Sequence, residues 1–143
     1  MSRSLQAALA DLAGRHGLDA VYAFGSRSQE VAALVRGEPA VSKSPRSDVD
    51  IGVLPKPGIE LSARDRVRLM AAFEDRFHAP RVDLVVLPEA SAFLAAEVVD
   101  GALLYDASPD RTAEFELYVL RRAGDLVGFE RERQQLILRA GGR

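Results

Sequence analysis

The sequence predicts a small α/β (α+β) protein: a sheet of three to four strands flanked by helices, with a C-terminal helical tail. Three observations carry this. Short apolar stretches closed by Gly or Pro alternate with segments of helical apolar spacing. At most four such stretches exist, too few for a full doubly wound dinucleotide fold. From Pro109 onward the pattern is helical only.

The elements follow in order. Leu5, Leu9 and Leu12 recur at helical spacing over residues 4–16; Ser4 is a cap, and Gly14 and Gly17 end the run. Residues 19–24 read as a buried strand that stops at Gly25-Ser26, with Ser26 placed to cap a helix through about Val35. Residues 36–47 form a polar loop, because two prolines and a glycine oppose regular structure. The strand 48–54 carries apolar Val49, Ile51 and Val53 on one face and ends at Pro55-Lys56-Pro57-Gly58. Residues 61–77 read as a helix whose stripe is Val67, Met70, Ala71, Phe73 and Phe77. The nearly unbroken apolar run at 81–87 predicts a strand buried on both faces. Residues 89–99 read as a helix and 102–105 as a short edge strand. A long helix then runs from Pro109 to about Arg139. The whole is expected to be one domain over 1–143, with its core at about 18–106 and its tail at about 109–140.

Composition narrows the function classes. The chain has 143 residues and 48% hydrophobic content, enough for one core. Its 19 basic and 21 acidic residues give a net charge of −2, with no global pull toward nucleic acid, so direct nucleic-acid binding is not expected. It has no cysteine, which excludes disulfides, thiolate nucleophiles and Cys-based zinc sites and fits a cytoplasmic location. No membrane-spanning run or signal peptide is recognisable.

Three short motifs carry chemistry. Phe24-Gly25-Ser26-Arg27 joins a strand to a helix, where free N–H groups and the helix dipole can hold phosphate; a plain turn and cap explains the same residues. Arg27 either supports phosphate or is a solvated arginine at a helix start. Asp48 and Asp50 stand two apart on one strand face. They are either a solvated edge or ligands to a hard divalent cation such as Mg²⁺ or Mn²⁺, bound with substrate phosphates. Asp83 is a lone acid in an apolar strand. It pairs with Arg81, Arg76 or Arg46, or it joins the other two acids at a cation if the strands are neighbours. In the loop, Lys43 and Arg46 reach phosphate, reach a partner, or are simply loop charges. His16 and His78 read as surface residues, and Tyr105 and Tyr118 as packing. Phe115, Val119, Leu126, Phe129, Leu136 and Ile137 form a stripe on the tail that packs on the sheet or meets a partner. Gly124 and Gly128 suggest a bend or close helix contact there.

The order Tyr22-Ala-Phe-Gly25-Ser26-Arg27, Ser47-Asp48-Val-Asp50-Ile-Gly-Val and Arg81-Val-Asp83-Leu-Val resembles the DNA polymerase β-type nucleotidyltransferase superfamily. Within it the chain is most similar to minimal nucleotidyltransferases, the MNT-type antitoxins paired with HEPN toxins. A weaker echo follows in Gly101-Ala-Leu-Leu-Tyr105-Asp106 and Arg111-Thr-Ala-Glu-Phe115-Glu116. The resemblance implies a nucleotidyltransferase fold with a mixed sheet. It implies that Gly25 and Ser26, with Arg27, bind the triphosphate of ATP, that Asp48 and Asp50 hold Mg²⁺, and that Asp83 completes the metal site and helps deprotonate the attacking hydroxyl. The implied activity is transfer of AMP to a tyrosine of a HEPN ribonuclease toxin, in a hetero-oligomer with that toxin. Transfer to a small molecule or an RNA end, and neutralisation of the toxin by contact alone, are the competing readings. Two departures stand out. Twenty-one residues separate Ser26 from Asp48, about twice the common spacing, and Ser28-Gln29-Glu30 replaces an Arg-Gly that often follows the turn.

Overall fold

The computed structural model describes residues 4–40, 42 and 44–141, and for 139–141 the backbone alone. Five α-helices and four strands alternate: α1 (Leu5–His16), β1 (Leu18–Phe24), α2 (Ser28–Val35), β2 (Val49–Pro55), α3 (Ala63–Phe77), β3 (Val82–Val86), α4 (Ala92–Val99), β4 (Ala102–Asp106) and α5 (Pro109–Gly141). The strands form one mixed sheet in the order β3-β2-β1-β4. β1 is antiparallel to both β2 and β4, while β2 and β3 are parallel. Among the described residues no helix is long and apolar enough to cross a membrane.

Side chains alternate across the sheet and separate the core into two layers. Val21 and Ala23 of β1, with Val49, Ile51 and Val53 of β2, pack with Leu9, Val31, Leu69, Phe73 and Phe77 of the first three helices. On the other face Ala20, Tyr22, Phe24 and Leu54 meet Ala95 and Val98 of α4 and Val119 of α5. Asp50 and Gly52 share that second face. Gly52 is required there: a Cβ would lie 2.3 Å from Val98 Cγ1, so the glycine is what lets α4 lie against β2.

Several expectations are revised. α2 starts at Ser28 with Arg27 at its N-cap and no side-chain cap bond, so Ser26 lies in the preceding turn and does not cap the helix. In α3 the buried face is Leu69, Phe73 and Phe77 at four-residue spacing; Val67 is 61% exposed, Ala71 is exposed and Met70 half-buried. β3 is an edge strand whose middle three residues are only half-buried, because one of its sides has no neighbouring strand. The helix expected from residue 89 resolves into a 3₁₀ turn at Leu87–Glu89 and α4, whose cap Ser91 accepts from Leu94 N. α5 is one helix through Gly124 and Gly128, and among the described residues nothing lies within 4 Å of a Cβ placed at either position, so neither marks a close helix contact there. His16 is half-buried rather than on the surface, with its Nε2 buried and without a hydrogen-bond partner among the described residues. The described residues of 36–47 form neither helix nor strand, as expected; Lys43 lies outside the described residues.

Candidate functional site

Strand register assembles the acidic residues. Asp50 pairs with Phe24 of β1 on one side and with Asp83 of β3 on the other. Because β2 and β3 run parallel, the two aspartates present the same face. Asp48 stands two residues earlier, at the mouth of β2. The Asp50 carboxyl is pushed above the ordinary aspartate value, first by burial and then by the charges of Asp83, Asp48 and Glu97. This is the electrostatic signature of crowded acids. Their chemistry fits a hard divalent cation, which would relieve the crowding. The fit is in donor type and placement, not in a closed ligand shell. Among the described residues no three acidic or histidine side chains stand together so that they could hold a metal ion. The expected three-carboxylate convergence is therefore not formed. Asp83 takes Arg81 at 3.4 Å, one of the pairings considered from sequence; Arg81 is exposed and Asp83 half-buried.

The turn after β1 faces these acids. Gly25 has φ of 76°, and a Cβ there would fall 2.3 Å from Asp50 Oδ2. Only glycine combines that backbone with so close a carboxylate. Ser26 is exposed beside it. Arg27 is not a solvated arginine: it is 5% exposed. Its guanidinium donates to Glu30 through Nε at 3.3 Å and Nη2 at 2.7 Å, and through Nη1 to the Ser47 carbonyl at 2.7 Å. That fork holds Glu30 below the ordinary glutamate value. Arg27 thus ties the first turn of α2 to the residue before Asp48, and the Gly25-Ser26 turn and the acid strand are fixed to each other through it.

Sequence reasoning missed three features. Glu97 of α4 adds a fourth carboxylate near Asp50; the only hint was Gly52, which signals close approach of another element but not which one. The Tyr22 hydroxyl, on the same face two residues before Phe24, donates to Glu116 Oε1 of α5 at 2.5 Å. Buried Asp19 pairs with Lys56 at 3.1 Å and with Arg111 of α5. Together with the bond from Thr112 Oγ1 to Asp106 at 2.8 Å, these latch the first two turns of α5 to the sheet. Arg111, Thr112 and Glu116 all fall in the segment that echoes the superfamily, and their roles here are to dock the helix.

Comparison with known proteins agrees with this geometry. The family model described as "Polymerase beta, Nucleotidyltransferase" matches residues 9–110, from α1 to the start of α5. No protein of curated function matches the chain. Among solved structures, a chain of a toxin–antitoxin assembly with AMP-PNP is 27% identical with a TM-score of 0.60, covering 92% of this chain and 94% of that one. A mutant toxin–antitoxin pair, MntA-HpeT, gives 25% identity and a TM-score of 0.61 over the same shares. A complex of tri-AMPylated Shewanella oneidensis HEPN toxin with MNT antitoxin shares the fold at 24% identity and a TM-score of 0.61, over 93% and 92% of the two chains. With the glycine turn, the Asp-x-Asp strand and the third aspartate all within the matched span, the chain belongs to the polymerase β-type nucleotidyltransferase family.

Proposed function

We propose that this nucleotidyltransferase is the antitoxin of a toxin–antitoxin pair and transfers AMP from ATP to a tyrosine of a cognate HEPN toxin, silencing it. The observation that supports the reading most is the seating of the Gly25 turn against Asp50, which has Asp83 beside it in register on the other side. It sets a glycine turn, whose N–H groups could hold phosphate, directly against the acids of one sheet. Similarity over nearly the full length of chains from toxin–antitoxin assemblies, one with an ATP analogue, supports the partner and the nucleotide.

In this reading the Gly25-Ser26 turn holds the β- and γ-phosphates through backbone N–H groups and the Ser26 hydroxyl. Arg27 keeps that turn in register with Asp48. Asp48 and Asp50 would hold Mg²⁺ or Mn²⁺, with Asp83 beside Asp50 in register. A divalent cation in such a site neutralises phosphate charge and steadies the departing pyrophosphate. The toxin's phenolic oxygen attacks the α-phosphorus, the α–β anhydride bond breaks, and pyrophosphate leaves. The phenolic proton passes to a carboxylate, a role we assign to Asp83.

The test is incubation of the purified protein with ATP, Mg²⁺ and the HEPN toxin encoded beside it, read by intact mass. A toxin heavier by one AMP per transfer supports the reading, and a toxin of unchanged mass overturns it. Asp48→Asn with Asp50→Asn should abolish transfer and keep the fold. Continued protection of cells by that double variant would favour neutralisation by contact alone.

A further inference from the structure

Val119, Arg122, Leu126, Phe129, Arg133 and Leu136 of α5 follow alternating steps of three and four, the spacing by which one helix packs along another. Val119 is buried in the second core layer. From Arg122 onward every member is exposed, Phe129 at 65% and Leu136 at 64%. The seam thus begins inside the domain and runs on for about 21 Å, uncovered by any of the described residues. The side of the sheet it leaves from is the side that presents Asp50, since Val119 shares its layer with Tyr22 and Phe24.

Charge decides what covers the seam. A parallel second copy sets Arg122 and Arg133 each against itself. An antiparallel copy meets like charges in either register that keeps the apolar layers. With Leu126 opposite Phe129, Arg122 faces Arg133; with Leu126 opposite Leu136, Glu130 and Glu132 each lie beside their own copies. A different chain is free of that conflict. Arg133 has a loose, exposed pair with Glu130 at 3.9 Å, and Arg122 lies over the Tyr118 ring at 5.6 Å, so both guanidinium groups keep N–H donors for a partner. We propose that the toxin, and not a second copy, covers this seam. A helical face of the toxin lays an apolar ridge along Leu126, Phe129 and Leu136 and sets carboxylates against Arg122 and Arg133. The inference rests on the partner proposed above and gives that partner a docking surface separate from the acids.

The experiment measures toxin binding by calorimetry and AMP transfer by intact mass. It compares the wild type with Phe129→Glu, with Arg122→Glu plus Arg133→Glu, and with Val127→Ala, an exposed apolar position on the other side of the helix. Phe129→Glu and the double reversal should each weaken toxin binding about tenfold or more and raise the KM for toxin with kcat kept. Melting temperature and ATP binding should stay as in the wild type. Phe129→Ala, which removes the ring and adds no charge, should weaken toxin binding in the same direction. Val127→Ala should stay within about twofold. Unchanged toxin binding in folded Phe129→Glu or in the double reversal overturns the inference and leaves the proposed function standing, as does an equal loss in Val127→Ala. A toxin that binds through the seam and is never modified overturns the proposed function and leaves the inference. A toxin that does not bind the wild type overturns both. Light scattering on the protein alone should give a monomer; a dimer that Phe129→Glu splits overturns the choice of occupant.

Discussion

The Asp50 carboxylate occupies the space where a side chain at Gly25 would begin, with Oδ2 only 2.3 Å from an ideal Cβ. The turn and the acid strand are thus fitted to each other at one atom. Gly25→Ala must push the two apart and adopt a left-handed backbone at φ 76°, which costs about 1–2 kcal/mol for a residue with a Cβ. The expected outcome is a melting temperature lowered by several degrees and AMP transfer lost well beyond what the stability change explains. Thermal melts and single-turnover transfer on the same sample check both.

Asp50 also sets a pH dependence. Its carboxyl is raised above its usual 3.8 by burial, Asp83, Asp48 and Glu97. A raised acid favours the fold when protonated, so it contributes stability at low pH and loses it as pH rises through the folded value. Asp50→Asn should therefore raise the melting temperature at pH 7, where the crowded charge is a burden. The gain should disappear by about pH 3, where the wild-type carboxyl is already neutral. Transfer should be absent at every pH. A melting curve series from pH 3 to 8 tests the sign; equal gains at both ends would contradict it.

Tyr22 and Glu116 connect β1 to α5 through one short hydrogen bond, and burial with the nearby carboxylate raises the phenol far above its ordinary value. Tyr22→Phe removes the donor and strands a half-buried carboxylate, a cost of about 1–3 kcal/mol. Tyr22→Phe with Glu116→Met, which removes both partners, should recover part of that loss. Chemical denaturation of the two variants measures the difference; additive losses would show that the bond is not what holds the pair.

What the sequence revealed, and what it hid, follows from the range of each signal. Asp48 and Asp50 are legible because a period of two puts both on one face without knowledge of neighbours. Asp83 is legible as an acid in an apolar run. The register that sets it beside Asp50 needed only the assumption that two strands are adjacent. Glu97, Glu116 and Arg111 were not legible as partners, because each acts across a helix-to-sheet contact that no local pattern encodes. Of the two readings open for Arg27, the solvated one fails for a related reason: its guanidinium is taken by Glu30 and by the Ser47 carbonyl, twenty residues on. In α3 the expected stripe included Val67 and left out Leu69, because several overlapping stripes fit a helical period and the packing face decides.

The tail separates structural from surface apolar residues. α5 contributes Val119, 2% exposed, to the second core layer, and among the described residues its latching bonds to the sheet fall in its first two turns. Beyond that, Leu126, Phe129, Leu136, Ile137 and Leu138 are all exposed, Phe129 at 65%. Of the two placements the stripe permitted, packing on the domain's own sheet therefore holds for its first turns alone. Phe129→Ala should leave stability within about 0.5 kcal/mol, as surface substitutions do. Leu69→Ala, at a fully buried site among Phe73 and Phe77, should cost about 2–5 kcal/mol by the cavity it leaves. Urea titrations of the isolated protein measure both. A large loss in Phe129→Ala would mean that the outer half of α5 folds back onto the domain in solution.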